Sequence, residues 1–162
     1  MDVRTAEESE IAVLGKLWFD AWQDAHARIV PAELTRRRTL ATFHERIAAM
    51  LPDLRAVGLV GAPLGFCIVR GDELYQLFVA AAARGAGVAA ALIDDAGARI
   101  AATGAGTAWL TCAIGNDRAA RFYEKRGWHR AATIVDELDT PEGIIPLEVW
   151  RYEKALALAG QL

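Results

Sequence analysis

Apolar and polar positions divide the chain into two textures. From Glu7 to Arg28 the apolar residues recur at helical spacing, with Ile11, Leu14, Trp18, Trp22 and Ala25 on one stripe and Glu8, Lys16, Asp20 and Asp24 off it. A short strand over Val3–Ala6 precedes this predicted helix, and Pro31 stops it. Pro31-Ala32-Glu33 opens a second helix reaching about Met50, which Pro52 ends. Beyond that point short apolar runs replace the helical stripe. Leu54–Val60 and Leu64–Val69 flank Gly61-Ala62-Pro63 and read as a hairpin, and Glu73–Ala80 follows the turn Gly71-Asp72 as a third strand. Gly85–Thr103 is a predicted helix, Thr107–Ala113 a strand, and Asp117–Arg126 a short helix closed by Gly127. Trp128–Val135 and Pro146–Lys154 read as two last strands, joined by a polar loop from Asp136 to Gly143. The order β-α-α-β-β-β-α-β-α-β-β predicts an α/β (α+β) chain, a mixed sheet with helices on its faces.

Composition narrows this picture without changing it. The 162 residues suit one domain over 1–162, and a hydrophobic content of 54% is too high for a disordered chain. Against 21 acidic residues stand 18 Lys and Arg, a net charge of −3, so nothing suggests a nucleic-acid partner. The first residues lack the apolar core of a signal peptide, and no run approaches the about 18 apolar residues of a membrane span. A soluble, cytoplasmic protein is expected, with no membrane partner. Cys67 and Cys112 sit in apolar strand-like runs and read as buried free thiols, and no metal site is expected.

The segment richest in chemistry runs from Leu74 to Leu92. A strand enters a loop, Arg84-Gly85-Ala86-Gly87-Val88-Ala89, and the loop enters a helix. A helix N-terminus offers unpaired N–H groups and partial positive charge, and so favours a phosphate. Gly85 and Gly87 would let an anion reach those groups, Ala89 keeps the next turn slim, and Arg84 adds a full charge. The same glycines would equally serve a plain tight turn. A P-loop is excluded because no Lys-Ser/Thr pair follows Gly87. The dinucleotide pattern is formally met by Gly85, Gly87 and Ala90, but no acid lies between Asp95 and Asp117 to hold a ribose.

Arg84-x-x-Gly87-x-Ala89 resembles the Gln/Arg-x-x-Gly-x-Gly/Ala signature of the GCN5-related N-acetyltransferases (GNAT). The resemblance continues through Trp109–Ala113, Asn116, Phe122-Tyr123 and Gly127-Trp128, and a closing strand at Leu147–Lys154. It is strong from about Glu73 to Trp128 and weaker before Leu54. It implies a mostly antiparallel sheet of six to seven strands, about four flanking helices and splayed central strands. It also implies acetyl-coenzyme A as acyl donor, its pyrophosphate held by Arg84, Gly85, Ala86, Gly87, Val88 and Ala89. The pantetheine arm would pair with the backbone of Phe78 and Val79, and Asn116 would both cap its helix and touch the cofactor. Tyr123 would lie near the thioester sulfur and protonate the leaving thiolate. Glu73, six residues before Val79, is the first candidate for the base that takes the amine proton. Asp72 is a weaker substitute.

Direct transfer to a primary amine in a ternary complex needs positioning, polarisation of the carbonyl and proton movement, but no covalent enzyme intermediate. That agrees with the absence of a Ser/His/Asp or Cys/His constellation. The acceptor, a small-molecule or peptide amine, would sit against the first two helices and the loop between the last strands. Trp18, Trp22 and His26 share a helix face there. Asp136, Glu137, Asp139 and Glu142 would draw in a cation or form a solvated loop, and Arg36-Arg37-Arg38 reads as a solvated face or, alternatively, as a grip for an acidic acceptor. Homodimers are frequent in the family. A non-catalytic acyl-coenzyme A sensor is the alternative, for which Tyr123 and Glu73 would have no use.

Overall fold

A computed structural model describes residues 1–157. Seven strands form one sheet in the order β1-β2-β3-β4-β5-β7-β6: β1 Val3–Thr5, β2 Leu54–Leu59, β3 Ala62–Arg70, β4 Glu73–Val79, β5 Thr107–Ala113, β6 His129–Thr140 and β7 Gly143–Ala155. Every pairing is antiparallel except that of β4 with β5. Five α-helices flank the sheet: α1 Ile11–His26, α2 Ala32–Arg37, α3 Leu40–Met50, α4 Val88–Ala102 and α5 Asp117–Lys125. This is the mixed, mostly antiparallel sheet that the sequence predicts, with one helix more than about four.

The extra helix comes from a break in the predicted 31–50 segment. Arg38, at φ −88° and ψ +73°, leaves the helical region. Thr39 then caps a new helix, its hydroxyl accepting the Thr42 N–H at 3.2 Å. The predicted polar loop over Asp136–Gly143 is also corrected. β6 and β7 continue through it in register, Asp136 opposite Leu147 and Leu138 opposite Ile145, and turn only at Pro141-Glu142. A third shift is at α4, which starts at Val88 rather than Gly85 because Gly85 and Gly87 adopt φ of +81° and +85°.

Both faces of the sheet are covered, which explains why Phe66–Val69 of β3 is buried without alternation. On one face Leu92, Ile93, Ala96 and Ile100 of α4 meet Leu74, Leu110 and Tyr152. On the other, Leu14, Trp18 and Trp22 of α1 and Phe43 and Ile47 of α3 meet Ala56, Phe66 and Ile68. Two glycines set how closely these layers approach. A Cβ on Gly65 of β3 would lie 2.8 Å from Val88 Cγ1 and 2.9 Å from Phe78 O; one on Gly15 of α1 would meet His44 Cδ2 of α3 at 2.1 Å.

The centre of the sheet is open. β4 and β5 are in register only at Glu73 opposite Trp109, where the Trp109 N–H donates to Asp72 O and its indole Nε1 to Asp72 Oδ1. Beyond that clasp the strands diverge. The pairing of β3 with β4 also shifts at Ile68/Val69, where Val69 faces Leu74 and Ile68 faces Gln76. Tyr75 is thus an extra residue in β4, a bulge that turns Tyr75 and Phe78 toward α1 and α3 while Leu74 and Leu77 face α4. No helix among the described residues is long and apolar enough to cross a membrane.

Candidate functional site

Three cavities follow one another through the opened sheet. The first is a groove of about 400 Å³ at the head of α4. Phe78, Val79, Arg84, Gly85, Gly87, Val88, Ala89 and Asn116 all line it, so eight of the predicted cofactor residues come together there. Ala86 lies in the same turn and is exposed. Gly87 is the N-cap of α4, and the Ala91 N–H is the first to bond within the helix, to Gly87 O at 3.1 Å. The N–H groups of Val88, Ala89 and Ala90 have no intrahelical partner. Nothing lies within 4 Å of where a Cβ on Gly85 or Gly87 would stand, so this cradle is open to an anion. Arg84 is drawn sideways, its guanidinium bonding Asp24 of α1 at 2.5 Å, with Arg118 of α5 at 3.8 Å from the same carboxylate. Arg118, which lines the groove, is a residue that sequence reasoning missed.

The second cavity is the slot between β4 and β5, about 70 Å³, lined on its two sides by Leu74–Phe78 and Leu110–Ala113 and closed by Asn116, Tyr123 and His26. Asn116 caps α5, its Oδ1 accepting the Ala119 N–H at 3.4 Å, while its side chain also borders groove and slot. Tyr123 stands against Trp128 and Tyr152, and burial holds its phenol well above the ordinary pKa. Cys112 lines the same slot, and there burial pushes its thiol up to about 12. Cys67, also a free thiol, is buried under α4 and is likewise pushed up to about 12. Neither thiol is activated as a nucleophile.

The third cavity, about 110 Å³, continues from the slot toward α2 and α3. His26, Tyr75, Gln76, Thr111 and Ala113 border both spaces. Arg38, Arg46 and Asp136 supply its charge, and Trp22, Leu34, Leu138 and Leu147 much of its apolar wall. His26 is half-buried, desolvation of its ring lowers its pKa to about 4, and its buried Nδ1 has no hydrogen-bond partner among the described residues. Asp136 occupies an inward position of β6, and burial raises its pKa. Arg38 is only 5% exposed, which overturns the reading of Arg36-Arg37-Arg38 as a wholly solvated face. Exposed Arg36 and half-buried Arg37 pair with Glu33 and Glu142, but Arg38 turns in and donates to Asp139 O at 2.9 Å. Arg46 and Gln76 escaped the sequence reading. The one signal was an arginine between Phe43 and Ile47 on the inward face of α3.

Glu73 does not line the groove, the slot or the third cavity. It is buried at the start of β4 with Arg70 at 3.2 Å, burial raises its pKa, and Asp136 and Asp72 are close enough to raise it further. Among the described residues no cluster of three or more His, Cys, Asp or Glu is placed to hold a metal ion.

Residues 54–130 match the family model of an acetyltransferase (GNAT) domain. That stretch runs from β2 to the start of β6 and carries the α4 cradle and most of the slot. A GCN5-related N-acetyltransferase from Rhodopseudomonas palustris shares the fold at a TM-score of 0.75 and 22% identity, covering 96% of this chain and 95% of the other. The PaiA N-acetyltransferase of Thermoplasma acidophilum, solved with coenzyme A, aligns at 0.67 and 15% identity over 95% and 98%. The yncA protein of Salmonella typhimurium, solved with its cofactor acetyl-CoA, aligns at 0.70 and 13% identity over 98% and 95%. A search of curated proteins found no match to the sequence. The stretch through the cradle thus matches a GNAT acetyltransferase domain, and the chain shares along its length the fold of these N-acetyltransferases.

Proposed function

We propose that this chain is an N-acetyltransferase that moves an acetyl group from acetyl-coenzyme A to a primary amine of a small molecule or peptide. The observation that carries the reading is the continuity of the three spaces, with an anion cradle at one end and a charged cavity at the other. When bound, acetyl-coenzyme A supplies the activated thioester. The open cradle of Gly85 and Gly87, with the free N–H groups of Val88, Ala89 and Ala90, suits its pyrophosphate. Phe78 and Val79 offer the backbone edge of β4 to the pantetheine amides, since β5 has moved away.

The slot sets the proton chemistry. Tyr123 stays neutral at any working pH and is therefore always a donor. A thiol of ordinary pKa, about 8.5, would be too weak a base to need it. Burial in this slot pushes Cys112 up to about 12, and a leaving thiolate beside Cys112 meets the same desolvation. Its demand for a proton then approaches what Tyr123 can supply. On the acceptor side Glu73 is the base proposed from sequence, with burial favouring its protonation. Asp136 is a second reading, favoured because it lines the acceptor cavity directly, also with a raised pKa. Residues of both kinds are absent from the needs of a mere cofactor sensor.

The decisive experiment has two arms. Acetyl-coenzyme A should raise the melting temperature of the wild type and leave Gly87→Glu unmoved, because that change puts a side chain and a negative charge into the cradle. Thiol release over a broad amine panel should fall at least about a hundredfold in Tyr123→Phe, within the usual range for a lost acid catalyst. A thermal shift with no thiol release on any amine would establish the sensor instead. Asp136→Asn and Glu73→Gln decide the base: the variant that removes the acidic limb of the kcat/KM profile identifies it.

A further inference from the structure

Arg38 has no carboxylate within 4.0 Å among the described residues, although it is 95% buried. Its neighbours Arg36 and Arg37 take up Glu33 and Glu142, and its one hydrogen bond to a described residue goes to Asp139 O. Arg46, which lines the same cavity, also has no carboxylate within 4.0 Å among the described residues; it lies 4.1 Å above the Trp18 ring and donates to Tyr75 Oη at 3.0 Å. Two guanidinium groups therefore face a cavity whose lining holds one carboxylate, Asp136, while His26 is neutral. An incompletely compensated buried charge is costly, and a guanidinium fork pairs bidentately with a carboxylate or a phosphate, of which the carboxylate is the smaller. The two ends of the cavity also differ. Asp136 lines the cavity together with Thr111, which also borders the slot where transfer would occur, whereas Arg38 and Arg46 come from the α2 and α3 side. The volume, about 110 Å³, is roughly that of four waters at about 30 Å³ each, room for a short molecule only.

We infer that the acceptor is a small amine that also carries a carboxylate, an amino acid or a close relative, with Arg38 and Arg46 holding the carboxylate and Asp136 receiving the amine. This rests on the acetyltransferase reading of the same site. It excludes polyamines and other purely cationic acceptors, which two guanidinium groups repel. In the transfer the amine nitrogen bonds to the acetyl carbon, the carbon–sulfur bond breaks, the amine proton passes to the protein carboxylate and the thiolate takes one from Tyr123.

The test uses free amino acids, their C-terminal amides and spermidine, each titrated calorimetrically into the protein saturated with coenzyme A. Thiol release on the same compounds is measured separately with acetyl-coenzyme A. At least one free acid should bind roughly thirtyfold tighter than its amide. Arg38→Met and Arg46→Met should each erase most of that ratio while leaving amide binding and the coenzyme A melting shift unchanged. Arg38→Lys should restore part of it. Equal binding of acid and amide, tighter binding of spermidine, no binding of any acid, or an intact ratio in both Met variants would overturn the inference. If amines without a carboxylate are acetylated as well as amino acids, the transferase stands and this inference falls. If acids bind selectively but no thiol is released, the cavity assignment stands and the transferase reading falls.

Discussion

The groove and the third cavity lie on either side of one slot, yet they gather positive charge by opposite means. The groove works with backbone: Val88, Ala89 and Ala90 present N–H groups that the geometry of α4 leaves free, and two glycines keep them bare. Its charged side chains are exposed and already paired with each other through Asp24. The cavity works with side chains: Arg38 and Arg46 are brought inward from two helices with no carboxylate within 4.0 Å of either among the described residues. Backbone donors need no desolvated charge and no rotamer ordering, so one local turn suffices. A buried guanidinium needs a surrounding fold to hold it, here the β6–β7 hairpin end tied to α2 through Arg37–Thr140, Arg36–Glu142 and Arg38–Asp139. The two regions should therefore fail separately.

Two glycines test that separation most harshly. Gly65→Val drives a branched side chain into Val88 Cγ1 and the Phe78 carbonyl, so α4 must lift off β3 and carry the cradle with it. Overpacking of this kind costs about 1–3 kcal/mol, occasionally more. The expected outcome is loss of the coenzyme A melting shift in a protein that still folds at low temperature. Gly15→Ala pushes His44, and with it α3 and Arg46, away from α1. Against the about 1 kcal/mol that Ala gains over Gly in a helix, the net destabilisation should be smaller. Its signature is a raised acceptor KM with coenzyme A affinity unchanged. Loss of cofactor binding in Gly15→Ala would show that the regions are coupled through the sheet.

The same contrast governs what could be read from sequence. The cradle was legible because its parts are contiguous, Arg84 to Ala89, and because the unpaired N–H groups of a helix start need no partner elsewhere. Asn116 was legible as a cap for the same local reason, and the capping bond is present. Arg38 and Asp136 were named only as members of a charged face and a polar loop, and were not legible as inward residues. Both sit at positions where the local pattern calls for an apolar residue: Asp136 alternates inward with Ile134, Leu138 and Thr140 along β6. A polar residue there breaks the periodicity that reveals a strand, so the segment reads as loop. Likewise three successive arginines read as surface, although the chain bends at Arg38 and carries the third inside. Residues that violate the local pattern for function are those that pattern reading loses. The splay of β4 from β5 is equally hidden, because it depends on a bulge and a pairing that stops.

His26 stands where slot and cavity meet, and its titration reports on both. In the folded chain burial lowers its pKa to about 4, whereas an unfolded histidine titrates near 6.5. Between those values the unfolded state binds more protons, so stability falls as pH drops through that window and the penalty is complete below about pH 4. By pH 5 the loss should reach about 2 kcal/mol from this residue. Asp136 and Glu73, whose folded pKa values are raised, act in the opposite direction, since protonation favours their buried forms. The clean measurement is the difference between wild type and His26→Gln in denaturant midpoints at pH 7 and pH 5. The wild type should lose more stability than the variant. Equal losses would mean that His26 is solvated, and that slot and cavity are wider than the geometry has them.

The smallest effect lies at the groove's rim. Asp24 holds Arg84 at 2.5 Å and Arg118 at 3.8 Å, and a phosphate entering the cradle must compete with it for both. The pair is exposed on one side, so it is weak and screened by salt. Asp24→Ala removes a negative charge from the mouth of an anion site and releases two guanidinium groups toward it. Coenzyme A should bind a few-fold tighter in this variant at low salt, with the gain shrinking as salt rises. Binding of an amino acid in the far cavity should not change, because Arg38 and Arg46 are held by different elements. Weaker coenzyme A binding would show instead that Asp24 positions Arg84 for the phosphate, which would give the groove, like the cavity, a side-chain-built anion site.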